Sequence, residues 1–133
     1  MSSDDQVTTV LCVDDSPDIS NLCRRLIDAE SDMRCLGVLD RADGLLEKVL
    51  ATKPDVVLLD LTMPGKDPIM AVRELAAAAP WCRVLAFSGH DDYQRVMAIT
   101  EAGAWGLISK GADPLQLTSA IRRVAGGEFV KPA

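Results

Sequence analysis

Hydrophobic residues follow two alternating patterns along this chain, one typical of buried strands and one typical of amphipathic helices. Short, largely apolar runs predict five strands, over residues 7–13, 33–39, 55–60, 83–88 and 105–108. Residues 56–59 are apolar on both faces, as a central parallel strand requires. The segments between and after these runs predict five helices. The first begins at Pro17, and the others span 42–52, 67–79, 91–102 and 114–125.

The predicted helices carry their apolar residues at the i, i+3, i+4 and i+7 spacing of one inward face. In the first helix this stripe consists of Ile19, Leu22, Cys23, Leu26 and Ile27. The corresponding residues of the second helix are Leu45, Leu46, Val49 and Leu50. Those of the last helix are Leu117, Ile121, Val124 and Ala125. Ser16 can cap the first helix, with Pro17 in its first turn.

Strands that alternate with helices in this way predict an α/β fold. We expect a flavodoxin-like, doubly wound, five-stranded parallel sheet of order 2-1-3-4-5 with helices on both faces. A length of 133 residues with 48% hydrophobic content fits one compact domain. We place this domain at 7–127, after a disordered tail at 1–6 and before the start of a linker or a C-terminal tail at 128–133.

Composition narrows the classes of partner. Lysine and arginine number 14 against 20 aspartates and glutamates, and the net charge of −6 argues against direct binding of nucleic acid or of an anionic membrane. The four cysteines lack CxxC spacing and are expected to be buried small hydrophobes. The polar start of the chain does not resemble a signal peptide, and no apolar run is long enough to span a membrane. We therefore expect a cytoplasmic protein.

Polar residues with chemical potential stand where the predicted strands end. Asp14 and Asp15 follow the first strand, Asp60 ends the third, Ser88 ends the fourth and Lys110 follows the fifth. In such sheets the ligand site lies beyond the carboxyl ends of the strands, where the strand order reverses. Carboxylates crowded there repel one another unless a cation compensates, and an oxygen-only ligand set favours Mg²⁺. Each residue also has an ordinary explanation, such as helix capping by the Asp14-Asp15-Ser16-Pro17 segment.

Taken together, these residues closely resemble the receiver domains of two-component response regulators. The resemblance rests on Asp14-Asp15, on Asp60 within Val57-Leu58-Leu59-Asp60-Leu61-Thr62-Met63-Pro64, on Ser88-Gly89 and on Lys110. Segments 88–92, 102–110 and 120–127 are most similar to the NarL/LuxR-type subgroup, in which a DNA-binding domain normally follows the linker. Because the sequence stops at Ala133, we expect either a stand-alone receiver or one separated from a transcription regulator of that type.

The resemblance implies a role for each residue. Asp60 would be the phosphoacceptor, taking a phosphoryl group from a sensor histidine kinase, a phosphotransfer protein or a small phosphodonor. Asp15, Asp60 and the backbone carbonyl of Thr62 would hold Mg²⁺, or Mn²⁺ in its place, with Asp14 binding through water. Lys110 would pair with the phosphoryl group, and Ser88 would move toward it.

The resemblance also implies how the signal leaves the site. The movement of Ser88 would switch the surface formed by the fourth helix, the fifth strand and the fifth helix. Such a protein catalyses its own phosphorylation and dephosphorylation but works mainly as a signalling switch. A homodimer is also compatible with the resemblance.

Several positions depart from the pattern of the family. Leu107 stands where many receivers have a switching tyrosine or phenylalanine, so the usual aromatic coupling is in question. Trp105 is expected on the same side of the strand as Leu107, in core or interface packing. Thr62 and His90 occupy positions that flank the phosphoryl group and tune its hydrolysis, although an exposed loop residue is the simpler interpretation of His90.

Three alternatives remain open from the sequence. A phosphatase with an aspartyl nucleophile of the haloacid-dehalogenase type needs an acid where Thr62 stands. A flavodoxin-like FMN protein would place phosphate against Asp14 and Asp15, which would repel it. A receiver-like scaffold that is not phosphorylated stays compatible with three departures from the family pattern. These are Leu107, Gly111, where many relatives have proline, and Pro68, where relatives often have glycine.

Overall fold

A computed structural model of the chain describes residues 7–63, 65–89 and 93–131. Strands and helices alternate throughout. The strands are β1 (Thr8–Val13), β2 (Met33–Leu39), β3 (Val56–Asp60), β4 (Arg83–Ser88) and β5 (Gly106–Ser109). The helices are α1 (Pro17–Asp28), α2 (Leu45–Thr52), α3 (Pro68–Ala78), α4 (Tyr93–Ala102) and α5 (Pro114–Ala125). The predicted alternation is therefore confirmed in the described part of the chain.

The strands form one parallel sheet in the order β2-β1-β3-β4-β5, as predicted. Alternate residues of each strand face opposite sides, so the sheet has two hydrophobic cores. One core lies under α2, α3 and α4, and includes Leu59 and Leu107. The other lies under α1 and α5, and includes Leu58 and Ile108. The strand order reverses between β1 and β3, which places a cleft at their carboxyl ends.

Local sequence explains where the helices begin. The side chain of Ser16 accepts a hydrogen bond from the Ile19 N–H at 3.4 Å, and Pro17 occupies the first turn of α1. Asp67 and Asp113 cap α3 and α5 in the same manner, each followed by proline. The first N–H groups of a helix have no partner within it. A capping oxygen satisfies one of them, and a proline in the first turn has no N–H that needs a partner.

Two residues that were predicted to face inward, one in α1 and one in α2, are exposed. Leu22 in α1 and Leu50 in α2 are 48% and 47% exposed, whereas the other members of both stripes are buried or half-buried. The second helix also begins at Leu45 rather than at residue 42. Gly44 has a φ of +76°, outside the right-handed helical region, so the helix cannot extend back through it. A helix of eight residues is too short to bury four apolar side chains equally.

The expected position of Trp105 is also wrong. Leu107 packs in the core under α3 and α4, but Trp105 packs against the opposite core, under α5. Strand β5 begins only at Gly106, so the alternation of a strand does not fix the side on which Trp105 lies. The guanidinium carbon of Arg83 lies 4.8 Å from the centre of the indole ring, which suits a cation–π contact. Packing, as predicted, is the role the structure gives this residue.

The segment after α5 lies along the edge of β5. Val130 pairs in parallel with Gly106, and its carbonyl accepts a hydrogen bond from the Leu107 N–H at 3.0 Å. The side chain of Val130 is buried, only 4% exposed. A Cβ at Gly106 would lie 2.8 Å from the Val130 oxygen, so only glycine leaves room for this close approach.

Candidate phosphoacceptor site

The acidic residues predicted from the sequence meet at one edge of the sheet. Val13 of β1 is paired with Leu59 of β3, so the residues that follow each of them lie side by side. Carboxylate oxygens of Asp14, Asp15 and Asp60 lie within 4.8 Å of one another. An open depression of about 460 Å³ borders Asp14 and Asp15 on the side of β2. The side of the cluster formed by Asp14 and Asp15 is therefore reachable from solvent.

Burial divides the three acids into two kinds. Asp60 is 1% exposed and Asp14 is 5% exposed, whereas Asp15 is exposed. The ammonium of Lys110 lies 3.0 Å from Asp14 Oδ2 and 3.2 Å from Asp60 Oδ1. The single ammonium therefore forms an ion pair with each of the two buried carboxylates but neutralises only one negative charge. A second, divalent cation would complete the balance of charge.

The backbone fixes the position of Lys110. Its N–H donates to the carbonyl of Ser88 at 2.8 Å, which ties the loop after β5 to the end of β4. The ammonium also lies 5.7 Å from the centre of the Phe87 ring. The side chain thus extends across the end of the sheet to Asp14, which follows β1, and to Asp60, the last residue of β3.

The two oxygens of Asp60 have different surroundings. Oδ1 accepts hydrogen bonds from the Thr62 N–H at 3.0 Å and from the Thr62 hydroxyl at 3.1 Å. Oδ2 is buried and accepts no hydrogen bond from the described residues. A buried carboxylate oxygen without a donor is costly unless a cation or a ligand occupies its lone pairs. This orphaned oxygen, beside two further acids, fits a hard divalent cation.

The pKa values of Asp14 and Lys110 reflect the crowding of charge. Burial raises the pKa of Asp14 above its ordinary value, while the Ser16 N–H and the Lys110 ammonium oppose that rise and Asp60 adds to it. Burial by itself would lower the pKa of Lys110, but the carboxylates of Asp14 and Asp60 outweigh it and raise the pKa. Lys110 thus lies between the two buried carboxylates, 3.0 Å from Asp14 and 3.2 Å from Asp60.

Among the remaining predicted residues, one contacts an acid of the cluster and two are buried. Ser88 is fully buried at the end of β4, and Leu107 is 1% exposed in the core under α3 and α4. The Thr62 side chain contacts Asp60 directly. His90 lies outside the described residues.

Two serines contact Asp14, although the sequence pattern predicts no role in the site for either. Ser16 is predicted as the cap of α1, and Ser20 only as a residue within that helix. The Ser16 N–H donates to Asp14 Oδ1 at 2.9 Å, and the Ser20 hydroxyl donates to the Asp14 carbonyl at 3.1 Å. The two-residue spacing of Asp14 and Ser16 is a signal for the first contact, because aspartate often binds the N–H two residues later. Ser20 lies on the same face of α1 as Cys23, one turn later, and Ile27, two turns later, and a polar residue on an inward face indicates a buried partner.

Comparison with known proteins agrees with this geometry. Residues 10–122 match the family of the response regulator receiver domain. The chain belongs to this family. Among solved structures, this receiver superposes with a TM-score of 0.88 on a LuxR-family response regulator from Aurantimonas sp. SI85-9A1, at 30% identity over 93% of this chain and 89% of the other. The receiver domain of NarL from Mycobacterium tuberculosis also gives 0.88, at 28% identity over 92% of this chain and 99% of the other.

Curated relatives point to the same subgroup. This receiver is 28% identical over 128 residues to the nitrate/nitrite response regulator NarL of Escherichia coli K12, covering 96% of this chain and 59% of that protein. It is 32% identical over 124 residues to the response regulator GacA of Pseudomonas viridiflava, covering 92% of this chain and 58% of that protein. The chain thus spans little more than half the length of these relatives. The predicted NarL/LuxR-type resemblance is confirmed.

No helix in the described parts of this receiver is long and apolar enough to cross a membrane.

Proposed function

We propose that this receiver is a phosphorylation switch in which Asp60 is the phosphoacceptor. The observation that carries the proposal is the buried Oδ2 of Asp60, which has no donor among the described residues and lies in a cluster with two acids and a lysine. Its lone pairs are available to a metal ion or to phosphorus. The other oxygen is held by Thr62 and Lys110, which fixes the orientation of the carboxylate.

In the proposed reaction, an oxygen of Asp60 attacks the phosphorus of a phosphohistidine on a sensor histidine kinase or a phosphotransfer protein. The new O–P bond forms as the N–P bond of the donor breaks, and the imidazole leaves with the electron pair of that bond. A small phosphodonor such as acetyl phosphate would serve in the same way. Because negative charge accumulates on the transferred oxygens, the contribution of Lys110 is electrostatic.

Mg²⁺, or Mn²⁺ in its place, is the cofactor that we propose for this cluster. Asp15, Asp60 and the backbone carbonyl of Thr62 would hold it, and Asp14 would contact it through water. When bound, it supplies positive charge that neutralises the acids and the incoming phosphoryl oxygens. Thr62 and His90 are the residues that we expect to tune hydrolysis of the acyl phosphate.

The proposed output depends on Ser88. Its hydroxyl would turn toward the phosphoryl group and carry the end of β4 with it, which biases an equilibrium of α4, β5 and α5. Leu107 is an aliphatic side chain that is 1% exposed in the core, so we propose that it repacks with β5 rather than rotating out to solvent as an aromatic ring can.

Similarity to NarL and GacA suggests the setting of this switch. We propose a cytoplasmic receiver that functions as part of a LuxR-type transcription regulator or as a separate receiver, and that can form a homodimer. DNA would then be bound by another domain, because the net charge of this chain is −6. The observations that support this setting are the subgroup similarity and the acidic composition.

Intact mass spectrometry tests the proposal. After incubation with acetyl phosphate and Mg²⁺, the parent is expected to gain one phosphoryl group, and Asp60→Asn none. Asp40→Asn, which removes a carboxylate that is 77% exposed, is the matched control and should be labelled like the parent. Excess EDTA should abolish labelling. Absence of label on the parent, from acetyl phosphate and from phosphohistidine donors alike, would favour the unphosphorylated scaffold. Equal labelling of Asp60→Asn would place the acceptor elsewhere.

A further inference from the structure

Two cysteines face each other on neighbouring strands of the sheet. Cys12 lies in β1 and Cys35 in β2, and their sulfur atoms are 3.9 Å apart. Both contribute to the core under α1 and α5, so their side chains are on the same face. The pairing of the two strands shifts by one residue just after Cys35, since Val10 is paired with Cys35 but Leu11 with Gly37. This irregularity lies beside the two sulfur atoms.

The two thiols differ in access to solvent. Cys12 is 2% exposed, whereas Cys35 is half-buried. Within the described residues, β2 is an edge of the sheet, so one of its sides is open to the approach of a small solute toward Cys35. The Cys35 N–H donates to Asp28 Oδ1 at 2.8 Å, which holds this part of the edge in place. Cys35 therefore combines access with a fixed position beside a buried partner.

The electronic state of Cys35 supports a reactive role. The contact with the Cys12 thiol lowers the pKa of Cys35 below its ordinary value, against the opposing effects of partial burial and of the Asp28 carboxylate. Burial instead raises the pKa of Cys23 to about 11 and that of Cys82 to about 12. The thiolate is the nucleophile of cysteine, so Cys35 should react far faster than those two.

We propose that Cys35 is an oxidation site for peroxides and that Cys12 is its resolving thiol. In the first step, the Cys35 thiolate attacks one oxygen of the peroxide, the O–O bond breaks, and Cys35 becomes a sulfenic acid while hydroxide or an alkoxide leaves and takes up a proton from water. In the second step, the Cys12 sulfur attacks the Cys35 sulfur, an S–S bond forms, and water leaves with the thiol proton. The peroxide is reduced, and the two thiols are oxidised to one disulfide.

Closure of the disulfide requires a small movement. A disulfide bond is about 2.05 Å long, so the sulfur atoms must approach by nearly half their present separation. Rotation about the side-chain bonds and the local irregularity of β1 and β2 can supply part of this movement. Any strain that remains makes the bond easier to reduce, which suits a reversible modification rather than a structural disulfide.

The location of this pair links it to the acidic site. Cys12 is two residues before Asp14, and the Asp14 N–H donates to the carbonyl of Leu39 in β2 at 2.9 Å. A covalent bond would join the same two strands next to this hydrogen bond. The oxidation itself needs no phosphoryl chemistry, so it stands or falls separately from phosphorylation of Asp60.

Thiol counting on the full chain tests the proposal. Reduced protein is treated with hydrogen peroxide, alkylated with N-ethylmaleimide under denaturing conditions and weighed intact. The parent should keep two of its four thiols, with the lost pair mapped to Cys12 and Cys35 by non-reducing peptide analysis, and dithiothreitol should restore all four. Before oxidation, native alkylation of Cys35 should be at least about tenfold faster than that of Cys82.

Variants separate the two steps. Cys12→Ala should stop at a sulfenic acid on Cys35 that dimedone traps, Cys35→Ala should keep its thiols, and Cys82→Ala should behave like the parent apart from its missing thiol. Asp60→Asn should form the disulfide as the parent does, whatever the outcome of phosphorylation. Four alkylated thiols in the treated parent, or a disulfide mapped to another pair or between two chains, would overturn the proposal. Because the parent alone supplies this result, poor folding of a variant does not obscure it.

Discussion

Replacement of Lys110 by methionine tests how the acidic site is balanced. Methionine keeps the length and apolar stem of lysine but removes the charge that lies 3.0 Å from Asp14 and 3.2 Å from Asp60. Loss of one partner from a buried ion pair costs about 3–5 kcal/mol. The Lys110 side chain is 21% exposed, so solvent screens part of this energy. We expect a loss of about 2–3 kcal/mol in the free energy of unfolding without metal.

Protonation of Asp14 limits the loss of unfolding free energy at this carboxylate in Lys110→Met, because a protonated Asp14 is no longer an unpaired buried charge. Without Lys110, the pKa of folded Asp14, already raised by burial, should rise further above that of the unfolded chain. The folded protein then binds more protons than the unfolded one, so the stability of the variant falls as pH rises. Protonating an ordinary aspartate costs about 5 kcal/mol at pH 7.5 but only about 2 kcal/mol at pH 5.5. The loss should therefore be smaller at pH 5.5.

Urea unfolding followed by circular dichroism measures these energies. The parent and Lys110→Met are compared in EDTA at pH 7.5 and 5.5, then with Mg²⁺ at ten times its dissociation constant, which should stabilise either protein by about 1.4 kcal/mol. Lys66→Met is the control, because Lys66 pairs with Glu74 at the surface and should contribute at most about 1 kcal/mol. Equal stability of parent and Lys110→Met in EDTA, or a larger loss at the lower pH, would refute the reasoning.

Three further changes test the scaffold. Gly106→Val should lower the free energy of unfolding by about 1–3 kcal/mol and speed hydrogen exchange at the Leu107 amide, because its side chain would displace Val130; unchanged exchange would contradict this. Arg122→Gln should lower the free energy of unfolding by at most about 1 kcal/mol at pH 7. Because Arg122 lowers the pKa of folded Asp32, the difference should shrink once pH falls below the ordinary pKa of aspartate and disappear only below the lowered pKa of folded Asp32. Asp113→Ala should lower the thermal midpoint through a lost cap of about 1 kcal/mol.

The location of the site was predictable because short apolar strands end in polar residues. Residues 56–59 are apolar and are followed at once by Asp60, so both the central strand and its functional end follow from one short segment. The carboxyl ends of neighbouring parallel strands meet in space, which brings Asp14 beside Asp60 although they are far apart in the chain. Here local pattern and topology specify the same contact.

Other features depend on tertiary contacts that no local pattern contains. Gly106 and Val130 are far apart in sequence, and the fit between them emerges only when the segment after α5 lies against β5. Leu22 and Leu50 satisfy the helical spacing but lie at the border of the buried face, where the neighbouring elements decide their exposure. The contact of Cys12 with Cys35 likewise arises only when β1 and β2 pair, because the two residues lie in different strands.

The charges of the site suggest why a hydroxyl and a lysine are both needed. Three aspartates and one lysine leave a formal excess of two negative charges, which a single divalent cation neutralises. An acyl phosphate on Asp60 would replace one carboxylate charge with up to two phosphoryl charges, so negative charge accumulates again after the transfer. Lys110 already compensates two carboxylates and cannot satisfy every new oxygen. We therefore expect a further donor to move toward the phosphoryl group, and we propose Ser88 for this role, because its buried hydroxyl lies at the end of the neighbouring strand and its carbonyl accepts a hydrogen bond from the Lys110 N–H.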